Sequence, residues 1–140
     1  MKKQKPANTV RYGSGWQSAH KKSDDSTEYA MSPENEYIFL LTHLAKHFRD
    51  GGISIRQFTD LWVFKDKYQL DSSLINKELQ KLELSEFSKN VEKTLSVWFY
   101  GENSDETTDM ITDFVFNAGC FGSLFAEALF FCCKFSKNII

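Results

Sequence analysis

Cysteine is scarce in this chain and poorly placed for structural work. Cys120, Cys132 and Cys133 are odd in number, two are adjacent, and no Cys-x-x-Cys pair occurs. A disulfide framework and a cysteine-built zinc site are both disfavoured, and reduced thiols in a cytoplasmic protein are expected. Acids are missing from residues 1–22, which carry five Lys and one Arg, a charge of +6. No apolar segment follows them, so this start is not a secretory signal. Long apolar runs are scarce too. The richest, around residues 114–133, has Glu127 within it and makes a poor membrane span. Alternating strand-like runs are absent, which leaves an α protein.

What is present is ordinary for a globular domain: 41% hydrophobic residues, 26% charged, and 13 Phe. The net charge of −2 argues against a general nucleic-acid binder. It is unevenly spread, because residues 23–140 hold eleven bases against nineteen acids, a balance of −8. Residues 1–27 read as a disordered basic arm; binding RNA or an acidic surface is the other use such an arm could have.

Helical signals begin at Ser32-Pro33, an N-cap followed by Pro at the first helical position. Tyr37, Leu41, Leu44, Ala45 and Phe48 then repeat at helical spacing until Gly51-Gly52 ends the helix. A second helix is expected from Ser54 to about Tyr68, with Ile55, Phe58, Leu61, Trp62 and Val63 or Phe64 inward. Asp71 or Ser72 caps a third, carrying Ile75, Leu79 and Leu82. Ser85 caps a fourth with Phe87, Val91, Leu95, Trp98 and Phe99, and a fifth covers Asp105 to Asn117 using Met110, Ile111, Phe114 and Val115. The fold expected is all-α, an antiparallel array of about five helices with a disordered basic N-terminal arm. Residues 123–140 form an apolar tail, read as a terminal helix or as an addition foreign to the fold.

Chemistry concentrates in "HLAKHFRDGGISIRQFTDL", residues 43–61. His43 and His47 are four apart and could share a metal, but a zinc-protease helix needs Glu where Leu44 stands. By helical angle both His flank the apolar stripe, which favours ordinary boundary histidines and no metal. Arg56 and Asp60 make an i, i+4 pair, either a surface ion pair or the start of a phosphate site in the first turn after the glycines. Gly13-Ser14 followed by Asp24-Asp25-Ser26 has nearly the spacing of a polymerase-beta-type catalytic motif. Adjacent Asp cannot replace the alternating carboxylates that hold Mg²⁺ there, so the match is rejected.

"ENEYIFLLTHLAKHFRDGGISIRQFTDLWVF" strongly resembles the C-terminal helical region of an uncharacterised bacterial nucleotidyltransferase family, with the likeness running through "VWFYG" and "DFVFNAGCFG", about residues 28–122. The resemblance implies a two-part protein in which a polymerase-beta-like half holds Mg²⁺ and NTP and transfers a nucleotide to a hydroxyl. Here the stretch before residue 28 is short and polar, so a truncated or rearranged member is expected, inactive alone and binding no cofactor tightly. The resemblance implies that Lys46, His47 and Arg56 meet nucleotide phosphates and that Asp60 orients Arg56. His43, Gly51 and Gly52 are expected to be structural, with no catalytic residue and no metal ligand in the chain. The partners expected are a catalytic half or a second copy, and neither nucleic acid nor membrane.

Overall fold

The computed structural model describes residues 19–50 and 52–118, with the backbone alone for Ala118. Five helices follow one another: α1 Pro33–Asp50, α2 Ile55–Lys67, α3 Ser72–Lys81, α4 Ser85–Tyr100 and α5 Glu106–Ala118. The predominantly α fold expected from periodicity is the one observed. A two-stranded antiparallel ribbon, β1 His20–Lys21 and β2 Tyr29–Ala30, precedes them, with His20 opposite Ala30 and Lys21 opposite Tyr29. The ribbon occupies part of the stretch expected to be a disordered arm. Its strands are too short to show alternation in sequence. It is closed by side chains: Lys22 pairs with Glu28 at 2.7 Å, and the Ser26 hydroxyl accepts from the Glu28 amide at 2.9 Å.

Several helix boundaries have a local cause. The Ser32 hydroxyl accepts from the Asn35 amide at 3.3 Å, capping α1 where Pro33 begins it. Asp71 caps α3 by accepting from the amides of Ser73 and Leu74. At α5 the exchange is reciprocal: Asp105 Oδ1 accepts from the Thr108 amide at 2.9 Å, and Thr108 Oγ1 accepts from the Asp105 amide at 2.8 Å. Gly101 ends α4 with φ of 70°, a conformation that costs a residue with a Cβ. The cap of α4 differs from expectation. Leu84, not Ser85, stands at the N-cap, and its side chain is buried. Core burial holds that end where a hydroxyl cap was expected.

α1 packs on α2 and α3, and α4 packs on α5, α3 and α2. Between them lie Leu41, Leu44, Phe58, Leu61, Leu79, Val91 and Ile111, all fully buried. Phe48 joins three helices through ring contacts to Phe58 at 6.0 Å, Phe87 at 5.3 Å and Phe114 at 5.4 Å. At the surface end of the core, the Tyr37 hydroxyl donates to Glu92 at 3.1 Å, and Glu92 pairs with Lys65 at 3.0 Å. That chain ties α1, α4 and α2 together. Burial, with the charge and hydrogen bond of Glu92, pushes the Tyr37 hydroxyl far above its ordinary range.

One second-helix residue expected inward is outside, Ile55 at 45% exposed; of the alternatives Val63 and Phe64, Phe64 packs against the core and Val63 is 49% exposed. α2 has a narrow inner stripe of Phe58 and Leu61, bordered by half-buried Trp62 and Phe64, so neighbouring apolar positions fall outside it. Met110 and Phe99 are also exposed. No helix among the described residues is long and apolar enough to cross a membrane. The expectations for Cys120, Cys132, Cys133 and the tail 123–140 lie outside the described residues, as does Gly13-Ser14.

Candidate functional site

The polar residues of the 43–61 stretch gather where α1 ends and α2 begins. Gly52 lets the chain leave α1 by donating its amide to the His47 carbonyl at 3.2 Å, one bond beyond the regular helical ladder. Gly51 lies outside the described residues. Ile53, fully buried, anchors the connection to the core. Gln57 Oε1 then accepts from the Ser54 amide at 2.9 Å and fixes the start of α2. The joint is therefore pinned from both sides by sequence-local contacts.

α1 presents Leu41, Leu44 and Phe48 inward, which puts Phe39, His43 and Lys46 on its outer face, with His47 half-buried at the edge. His47 borders the apolar stripe as helical angle predicts. His43 does not: it is exposed, because it lies two residues from Leu41 and so about 200° round the helix. Its ring stacks on Phe39 at 6.1 Å and 8°, and its Nε2 lies 2.9 Å from Nε2 of His47. Burial and the charges of His47 and Lys46 lower the affinity of His43 for a proton.

Lys46 and Arg56 are both exposed. The cationic character of the joint is visible at Asp50. Its carboxyl is held below the usual range first by the hydrogen bond from Arg49, at 2.9 Å, against the opposing effect of burial. The charges of Arg49, Lys46 and His47 then add to the lowering. Arg49 and Asp50 are thus members of the joint that periodicity did not single out; their signal is proximity in sequence to Lys46 and His47. The first turn of α2 holds Arg56 and no acid, so the positive end of that helix is not offset there. Arg56 and Asp60 are both exposed, and among the described residues their side chains form no ion pair with each other. In this conformation Asp60 does not hold Arg56 by the hydrogen bond expected of it.

Apart from the Asp50 carboxylate, which Arg49 engages, the donor set of the joint is imidazole, ammonium and guanidinium. Mg²⁺ takes oxygen ligands, usually carboxylates with water, so these side chains do not fit it. Phosphate oxygens do fit them. Asp24 and Asp25 are exposed neighbours in the turn between β1 and β2 and offer no alternating pair. Among the described residues no three His, Cys, Asp or Glu side chains are grouped to hold a metal ion.

Comparison with known proteins gives one family. The family model described as uncharacterised nucleotidyltransferase matches residues 2–99. The match reaches further towards the N-terminus than the resemblance over 28–122 and ends at Phe99, before α5. No curated protein and no solved structure matches the chain. With the family model spanning more than half of its residues, the chain belongs to the uncharacterised nucleotidyltransferase family.

Proposed function

We propose that these residues form the helical, nucleotide-side half of an NTP-dependent transferase that passes a nucleotide to a hydroxyl acceptor. In this reading the α1–α2 joint binds the phosphates. The carrying observation is the placement of cations on both sides of the joint: Lys46 and His47 near the end of α1, and Arg56 in the acid-free first turn of α2. Lys46 supplies a mobile ammonium, and Arg56 supplies a fork of N–H donors suited to phosphate oxygens. His47 adds charge when protonated. Asp60, one turn beyond Arg56, turns the guanidinium once a phosphate engages it.

The helices hold and orient phosphate; they carry no Asp-x-Asp pair to hold Mg²⁺. Metal-assisted transfer is therefore assigned to a catalytic half, and these 140 residues bind without turnover. The test is equilibrium binding of a nucleoside triphosphate at low salt to the chain and to its Lys46→Ala and Arg56→Ala variants. A charge-assisted contact worth about 1.5–3 kcal/mol predicts roughly tenfold or greater loss per variant. Equal affinities in all three proteins would remove the phosphate reading.

A second reading, a helical module that docks a catalytic partner or self-associates, is favoured by the aromatic edge where α2 meets α4. Trp62 stacks on Phe99 at 4.4 Å, its Nε1 donates to the Tyr100 hydroxyl at 3.3 Å, and Tyr100 remains 66% exposed. Val63, the next residue of α2, is also exposed, at 49%. Sedimentation of the wild type and of Val63→Glu tests it: concentration-dependent association lost in the variant supports docking through this edge. A monomer in both contradicts self-association.

A further inference from the structure

His43 and His47 meet nitrogen to nitrogen on the outer side of α1. They stand one helical turn apart, with Nε2 atoms separated by 2.9 Å and rings at 78°. His43 is exposed and His47 half-exposed, so water is at hand for both and solvation does not require their outer nitrogens to converge. The surroundings of the two rings differ. Phe39 lies nearly parallel to His43, and Nδ1 of His47 is turned towards Gly52, where a Cβ would sit 3.6 Å from it.

We propose that His43 and His47 together ligate one divalent transition-metal ion through their Nε2 atoms, water filling the other positions. Imidazole suits Zn²⁺, Ni²⁺ and Cu²⁺, whereas Mg²⁺ prefers oxygen. With metal–nitrogen bonds of about 2.0–2.1 Å, the 2.9 Å separation corresponds to an angle of about 90° at the ion. That is the angle between neighbouring ligands in the tetragonal sites of Ni²⁺ and Cu²⁺, and it is narrower than tetrahedral Zn²⁺ prefers. Two protein ligands make an exchangeable site with open positions. A metal-bound imidazole is neutral, so an ion here would replace the charge that His47 lends to phosphate binding and leave that contact to Lys46 and Arg56.

The experiment is calorimetric titration of the full chain with Ni²⁺ alone, without nucleotide, alongside His43→Gln and His47→Gln. Thermal melts of the variants confirm folding, and the paramagnetic resonance of the wild-type Cu²⁺ complex counts bound nitrogens without any variant. The expected result is a single ion per chain, affinity reduced about tenfold or more in each variant, and two nitrogens in the resonance. Equal Ni²⁺ affinity in all three proteins would overturn the proposal by placing the ion elsewhere. No binding, or a Cu²⁺ signal without the nitrogen pair, would also overturn it and leave the contact as an N–H···N hydrogen bond.

Discussion

The two faces of α1 obey different rules. The inner one carries Tyr37, Leu41, Leu44 and Phe48, each buried and each touching a neighbouring helix. The outer one carries Phe39, His43 and Lys46, with His47 at its edge, where the main contacts are with residues of the same helix and the joint that follows. One helix thus separates the work of holding the fold from residues whose types packing does not dictate. Cations at positions that stability does not require are available for a ligand.

Breaking the inner face has the largest expected effect. Leu41 is fully buried, and Leu41→Ala removes apolar contact and leaves a cavity, costing about 2–5 kcal/mol in a denaturant titration. Tyr37→Phe keeps the ring but orphans Glu92 from one donor. The expected loss is about 1–2 kcal/mol, since Glu92 retains Lys65 and partial exposure. On the outer face, Lys46→Ala and His43→Gln are expected to change stability by no more than about 0.5 kcal/mol. A loss near that of Tyr37→Phe would erase the distinction between the faces.

A pH measurement sharpens the same comparison at a surface contact that does hold structure. Asp105 has its carboxyl lowered to about 2, first by the hydrogen bond from Lys93 and then by the Thr108 amide. The folded state therefore binds this proton less readily than the unfolded chain, whose Asp titrates near the ordinary 3.8. The contribution is present above about pH 4 and is lost as pH falls from there towards 2. Acid titration of Asp105→Asn is expected to show a shallower loss of stability across that window than the wild type. An identical acid limb would mean that the Lys93 contact carries no stability.

The inner face was legible in the sequence because burial repeats at a helical period. Ser32-Pro33 and Asp71 marked true helix starts because their side-chain and ring chemistry acts within one turn. Ile53, Leu84 and Thr108 were not legible: they are buried outside the apolar stripes, where only the path of the chain reveals it. Ile55 misled in the opposite direction, since apolar character alone does not locate the centre of a stripe. At the joint, the cluster of polar residues was visible as a run. The convergence of His43 on His47 and the pairing of Arg49 with Asp50 depended on rotamers, which spacing does not specify.

The most direct test of the account is amide chemical-shift mapping of the full chain as a nucleoside triphosphate is added at low salt. The account predicts the largest changes from Lys46 to Gln57, spanning the end of α1, the glycine turn and the first turn of α2. Changes confined to the β1–β2 ribbon and the residues before it, or no change at saturating nucleotide, would contradict it.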